Sequence, residues 1–325
     1  MDVPDFNKRY AKVLQYNVPN NENHLGLPTV VCYKALERPE NLTSENLMVV
    51  NVIGWCAEML ASCIVIIDDV MDRSPIRYHK PSWYSQKDVG LTAIYDALLI
   101  VSGIHDLLRK YVGGRKCCTY IMELLHEVAT KAIIGQTMDM TMNTPDGTTR
   151  LDLFTMNRYM TTTKYKLCHF YCLPMSLAMY LANIYDPEQH RVAKKISLEV
   201  GQLFQLQNDF LDCFGNPKGT GKESSDIKEG KCTWLAVVAL QKATPAQKKI
   251  MEEHYGKEAE EDVQMIKDLY LELGLPTTFA TAEEELFLRV QTQIQQNYSG
   301  QSQEVFLNLL KQQYNFKHSR LGEIC

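Results

Sequence analysis

The sequence predicts an all-α protein in one domain, residues 1–325, and three observations carry that expectation. Apolar residues recur at helical spacing in segment after segment along the chain. Strand signals are few: there are no regular short alternating runs and no Asn-Gly hairpin. No composition break or tandem repeat marks a linker between domains.

The elements follow in order. Residues 5–16 and 27–38 have helical periodicity, separated by an Asn-rich polar loop over 17–26. Pro39 breaks the second, and Thr43 or Ser44 can cap the next, with Leu47, Val50 and Ile53 facing inward. That helix runs through Cys63-Ile64-Val65-Ile66-Ile67 into Asp68-Asp69-Val70-Met71-Asp72. A Pro/Ser/Lys loop occupies 73–88, and two long helical patterns fill 91–112 and 115–142. After the turn signal Pro145-Asp146-Gly147, helical patterns return at 151–184, 188–213, 231–242, 245–255, 258–273, 278–296 and 302–316. The β-branched run 63–67 could also be a buried parallel strand ending in carboxylates. An α/β fold would then need further strands alternating with helices, and none are found.

Composition narrows the function. A hydrophobic fraction of 45% supports a sizeable core, and a net charge of −5 argues against nucleic acid as the main partner. The ten cysteines lack metal-ligand spacing and read as reduced thiols. No uninterrupted apolar run reaches the ~20 residues of a membrane span, and the first residues lack signal-peptide character. A cytoplasmic protein without a membrane span is expected.

The chemistry gathers at two carboxylate clusters. On a helix, Asp68 and Asp72 project from one face with Asp69 beside them. Phe204-Gln205-Leu206-Gln207-Asn208-Asp209-Phe210-Leu211-Asp212 repeats the pattern, with Asn216 one turn further. A bare cluster can be a solvated helix end; two in one chain could grip a diphosphate through metal ions. Oxygen ligands of this kind suit Mg²⁺, which takes one or two carboxylates plus waters and substrate phosphates. Arg77, Lys164, Lys166, Lys222 and Lys231 could bind the remaining phosphate oxygens. Any one of them is more often a surface charge; their clustering near the Asp motifs tips the balance. Such a site favours loss of diphosphate, which leaves a carbocation to be kept from water among apolar and aromatic walls. Phe204, Phe170, Tyr171 and Trp83 are candidates by position, although most helical aromatics are simply core.

The two clusters, Gly135-Gln136, Lys164-Tyr165-Lys166, Thr220-Gly221-Lys222 with Asp226-Ile227, and Lys231-Cys232-Thr233-Trp234-Leu235 resemble the trans-isoprenyl diphosphate synthase family, in particular its farnesyl diphosphate synthases. The resemblance runs from about Asn20 to Tyr314. It implies a single bundle of about ten or more helices around a central cavity, a homodimer, and a prenyl diphosphate substrate. It implies about three Mg²⁺ held by Asp68, Asp69, Asp72, Asn208, Asp209 and Asp212. Arg77, Lys166, Lys222 and Lys231 would then lie on the diphosphate, with Asp68, Asp72, Lys166 and Lys222 central to catalysis. Cys63, Ile64, Phe204 and Gln136 would line the cavity.

Departures from the family pattern are also informative. Its Gly-Lys-x-x-Arg segment corresponds to Glu22-Asn23-His24-Leu25-Gly26, so the lysine is Asn23 and the arginine Gly26. A Gln is replaced by Ala61, a second Arg by Tyr78, and a C-terminal Arg by Phe316 beside retained Lys317. Each lost charge-assisted bond is worth roughly 1.5–3 kcal/mol, so several together should abolish useful binding of a second diphosphate, that of isopentenyl diphosphate. Two Phe before the first cluster are Cys63 and Ile64, the first Asp of the second cluster is Asn208, and a Thr is Leu167. The run from there to Leu173-Pro174 reads one residue short.

These departures resemble an insect terpene synthase derived from a farnesyl diphosphate synthase. The expectation is therefore a lyase that ionises farnesyl diphosphate and cyclises it to a sesquiterpene, with a pheromone or other volatile as the end product. A short-chain prenyltransferase that condenses isopentenyl diphosphate is the alternative. A non-catalytic binding protein with the same fold is a third reading, against which the retained carboxylates argue.

Overall fold

The computed structural model describes residues 4–19, 24–142, 148–215 and 224–318. Thirteen α-helices make the described residues all-α. They are α1 (Pro4–Asn17), α2 (Gly26–Leu36), α3 (Ser44–Met71), α4 (Ala93–Val112), α5 (Cys118–Met140), α6 (Met156–Thr163) and α7 (Leu173–Leu181). Then come α8 (Pro187–Phe214), α9 (Trp234–Lys242), α10 (Pro245–His254), α11 (Glu260–Glu272), α12 (Leu275–Asn297) and α13 (Gly300–His318). The strand reading of 63–67 fails, because those residues lie inside α3. Among the described residues the sheet is one two-residue hairpin, β1 (Ile76–Arg77) and β2 (Lys80–Pro81).

Local chemistry explains most boundaries. Thr43 caps α3 by accepting the Asn46 N–H at 3.2 Å, as its position suggested. Thr233 and Thr244 cap α9 and α10 in the same way. The pattern over 151–184 is not one helix. Three successive β-branched residues, Thr161 to Thr163, disfavour a regular helix. The chain passes through a π-turn, Lys164–Cys168, and restarts at α7 with Pro174 in its first turn, where its missing N–H is harmless.

The chain divides into two compact units, each assembled from separate stretches. The first comprises residues 1–130, 169–198 and 294–309. There α3 is central and packs against α1, α2, α4 and α7, burying Val50, Ile53, Cys56 and Ala57 completely. The backbones of α2 and α3 touch at Gly26 and Gly54: a Cβ on Gly54 would lie 2.8 Å from the Gly26 carbonyl. The second unit comprises residues 131–168, 199–293 and 310–325. Its core includes Phe210 stacked on Phe279 at 3.9 Å and the wholly buried Met251 and Ile266.

Two stretches, Ser44–Met71 and Gly90–Val112, are long and on average apolar enough to cross a bilayer, although neither is an unbroken apolar run. Both carry charge into the protein: Glu58 and Asp69 on the first and Asp96 on the second are buried, Asp96 in an ion pair with Arg9 at 2.7 Å. That is the pattern of core helices. The nine described cysteines are all free thiols.

Candidate active site

In the first unit the carboxylate cluster ends α3. Asp68 lies one turn back from the C-cap, Asp72, whose N–H bonds the Asp68 carbonyl at 2.8 Å. Arg73 follows in the left-handed region at φ 53°, and Ser74 N–H returns to the Asp69 carbonyl at 3.0 Å. This 6→1 closure turns the chain back toward the helix, and β1 then brings Arg77 onto the cluster. Arg77 donates from Nε to Asp69 Oδ1 at 2.8 Å, and its Nη2 is 3.7 Å from Asp68 Oδ2. Burial pushes the Asp69 carboxyl up to about 6, against the pull of Arg77, while Asp68 and Asp72 add to the rise. Burial opposes the Arg77 charge, yet Asp69 and Asp68 raise its pKa above the usual arginine value.

The hairpin turn itself is strained. Tyr78 and His79 both have positive φ, 52° and 62°, as a type I′ turn requires, but neither is the Asn or Gly usual there. Helix α1 holds it down. Tyr16 Oη donates to the Pro81 carbonyl at 2.6 Å, Lys80 Nζ donates to the Tyr16 carbonyl, and Gln86 Nε2 donates to Tyr16 Oη at 2.9 Å. Trp83 packs on Tyr16 and donates from Nε1 to Asp96 at 2.9 Å. Trp83, a candidate cavity aromatic by sequence, is thus a buried anchor beneath α1 and α4. A crevice beside it is lined by Tyr16, Ser62, Asp69, Arg77, Lys80 and Trp83; Cys63 and Ile64 are not among its lining residues.

In the second unit Asn208, Asp209 and Asp212 stand near the end of α8. Asp209 is buried and accepts the Trp234 N–H at 2.8 Å, which caps α9, and a Gln205 Nε2 bond at 2.6 Å. Burial pushes its carboxyl up to about 6, opposed by those two donors and by Tyr159. Asp212 accepts the Asp226 and Ser225 N–H groups at 3.0 and 3.2 Å and so organises the loop before Lys231. Asn208 is half-buried, and Phe204 is buried on the same helix.

The lysines of this unit meet at a residue outside the expected site set. Lys166 Nζ donates to Asp139 Oδ2 at 2.7 Å and Lys231 Nζ to the same oxygen at 3.3 Å. Lys231 also pairs with Glu229 at 3.2 Å. Burial alone would raise the Asp139 carboxyl, but Lys166 and Lys231 pull it down to about 2. The close approach depends on two glycines. A Cβ on Gly135 would lie 2.1 Å from the Lys166 backbone nitrogen, and one on Gly201 would lie 2.6 Å from Cys168 Cα. The π-turn is therefore clasped by the bare backbones of α5 and α8, and its wider winding presents Lys166 to Asp139. Gln136, half-buried, lies one turn before Asp139 on α5. Lys222, Asn216, Asn23 and the 145–147 turn lie outside the described residues, as do the side chains of Phe316 and Lys317.

Among the described residues no three His, Cys, Asp or Glu side chains converge into a ready-made metal cage. The donors present in the two clusters are oxygens, and Mg²⁺ completes its shell with waters and substrate phosphates, so the residues fit that ion. The middle carboxylate of each cluster is engaged by the protein: Asp69 by Arg77 and Asp209 by Trp234 and Gln205. Asp68 and Asp72 are the pair that shares an exit face.

Comparison with known proteins places this geometry. The family model described as polyprenyl synthetase matches residues 7–273. The chain is 41% identical to farnesyl pyrophosphate synthase of Nezara viridula over 316 residues, covering 97% of this chain and 77% of that one. It is 40% identical to the farnesyl pyrophosphate synthase of Murgantia histrionica with the same coverages. It is 38% identical to the human enzyme of that name, covering 96% of this chain and 75% of that one. These relatives bear synthase names, and none supports the lyase, sesquiterpene or pheromone expectations; they favour the prenyltransferase alternative. The chain belongs to the polyprenyl synthetase family.

Proposed function

We propose that the protein ionises an allylic prenyl diphosphate of ten to fifteen carbons with the help of Mg²⁺. It then transfers the resulting cation to isopentenyl diphosphate, as a short-chain prenyltransferase of the farnesyl diphosphate synthase type. The observation that carries this reading is likeness to farnesyl pyrophosphate synthases over nearly the whole chain, beside two carboxylate clusters and Arg77, Lys166 and Lys231 in the sequence. The allylic C–O bond breaks with its electron pair on the departing diphosphate. A new C–C bond forms to the five-carbon partner, which then loses a proton. Mg²⁺ bound at Asp68, Asp72, Asn208 and Asp212 would stabilise the charge that builds on the leaving group. Arg77, Lys166, Lys222 and Lys231 would hold the leaving group's oxygens.

A second reading keeps the ionisation and drops the partner, giving a terpene by internal capture of the cation. One structural observation favours it. Glu58 is buried, and its Oε1 accepts the Leu25 and Gly26 N–H groups at 2.9 and 2.8 Å. The start of α2 would otherwise suit an anion, but it already holds a carboxylate. The positions where the family carries Lys and Arg are Asn23 and Gly26, so no cation at those two positions offsets that charge.

One assay separates the two. Purified protein and Mg²⁺ receive geranyl or farnesyl diphosphate, with and without isopentenyl diphosphate, and products are read by mass spectrometry. A lengthened diphosphate that forms only with the five-carbon partner supports transfer. Terpene formed without that partner supports the second reading. No turnover of any allylic diphosphate refutes both. We further propose a cytoplasmic homodimer. Met48 and Trp55 on α3 and Leu91, Tyr95 and Leu98 at and along α4 are exposed, Leu91 and Tyr95 at 73% and 72%. An apolar surface of this kind fits a second copy of the chain.

A further inference from the structure

We propose that Asp139 is a positioning residue that sets Lys166 and Lys231 as a paired cation for the substrate's diphosphate. The proposal rests on the ionisation step of the reading above and is independent of what the cation does next. Asp139 belongs to neither carboxylate cluster.

Its placement is specific. The carboxylate is buried, and both ammonium groups donate to one oxygen, Oδ2. Two like charges brought this close repel, and an anion between them cancels most of that repulsion. Each ammonium has three protons, of which Asp139 accepts one from each lysine while Glu229 also pairs with Lys231. A long, flexible lysine stem is thereby given one direction, which a surface lysine lacks.

The backbone is built to deliver the same arrangement. Gly135 lets α5 approach the π-turn until only a hydrogen fits, which places Lys166 beside Asp139, four residues along α5. Lys231 is fixed from its own side: its N–H bonds the Asp226 carbonyl at 3.0 Å, and the buried Tyr255 hydroxyl donates to its carbonyl at 2.7 Å. Gly230 precedes it at φ 64°, a backbone that a side chain would strain. Two separate segments are each rigidly aimed at one oxygen. Such convergence serves orientation, since a carboxylate beside two cations lowers their net attraction for an anion.

That trade gives the test its direction. Asp139→Glu keeps the charge but moves it by about one methylene, and Asp139→Asn removes the charge and keeps the shape. Misplacing a catalytic group by about 1 Å costs on the order of 100-fold in rate. For Asp139→Glu we expect kcat on geranyl or farnesyl diphosphate to fall about 100-fold with KM changed less than about threefold. For Asp139→Asn we expect a similar fall in kcat. Calorimetry with Mg²⁺ and inorganic diphosphate should show binding to that variant that is unchanged or tighter. Wild-type kcat in Asp139→Glu overturns the proposal. So does a loss confined to KM, or a variant whose melting temperature and diphosphate binding collapse together. If the wild type turns over no allylic diphosphate, the functional reading fails on its own. Calorimetry then decides the orientation claim: unchanged or tighter diphosphate binding by Asp139→Asn sustains it, and weaker binding ends it.

Discussion

Asp209 shows how a single carboxylate can belong to a motif and still serve the fold. Its oxygens cap α9 through Trp234 and hold Gln205. Asp209→Ala should therefore destabilise the protein by about 2 kcal/mol, through loss of a cap and of a buried acceptor, as read by urea unfolding. Asp68→Ala should keep its stability and lose turnover. The buried carboxylates Asp139, Asp69 and Asp209 titrate in two opposite senses. Asp139, held at about 2 against roughly 4 in an unfolded chain, stabilises the fold fully above about pH 4 and ceases to do so as pH falls toward 2. Asp69 and Asp209, pushed up to about 6, bind their protons more tightly in the folded chain. Their contribution grows as pH falls from about 6 toward 4 and is absent at neutrality. In EDTA, melting temperature should rise between pH 7 and 5 and fall below 4. Asp209→Asn should shrink the rise. The sequence named Asp209 because spacing is local. It could not name Asp139, whose partners lie 27 and 92 residues away and leave no mark on neighbouring positions.

Helices were easier to read than the pieces between them. Eleven of the thirteen α-helices fall close to the expected segments, and α6 and α7 divide one of them, because apolar periodicity and Thr caps are encoded within a turn or two. Two short elements escaped. The π-turn over 164–168 lies within a continuous helical pattern. The shortened run before Leu173-Pro174 marked the place without showing the winding. The 76–81 hairpin carries no Asn-Gly signal, since Tyr78 and His79 occupy its turn. Their positive φ costs about 1–2 kcal/mol each relative to glycine. His79→Gly should accordingly stabilise the protein by about 1 kcal/mol in chemical denaturation. The side chain is exposed, so little packing is lost. Gly135→Ala should act in reverse. Its methyl would collide with the Lys166 backbone, costing about 1–3 kcal/mol by overpacking and lowering kcat as Lys166 moves.

At the scale of the whole molecule, fold class followed from pattern alone, whereas the choice between transfer and cyclisation did not. Neutral residues at 23, 26, 61, 78 and 316 argue for a lost second diphosphate, and Glu58 at the start of α2 agrees. Identity to farnesyl pyrophosphate synthases argues for a kept one. Charge counting is blind to a remodelled pocket that reaches the same ligand with other atoms. The exposed apolar residues of α3 and α4 give a separate expectation. On the proposed homodimer, Leu98→Glu should shift the sedimentation from dimer to monomer in analytical ultracentrifugation.

The strap from Tyr16 and Lys80 has a practical corollary. The first helix reaches the arginine hairpin through the Tyr16 hydroxyl and the Tyr16 carbonyl. Trimming the chain back past Asn17 would release that grip, so the amino end is a poor place to shorten an expressed protein.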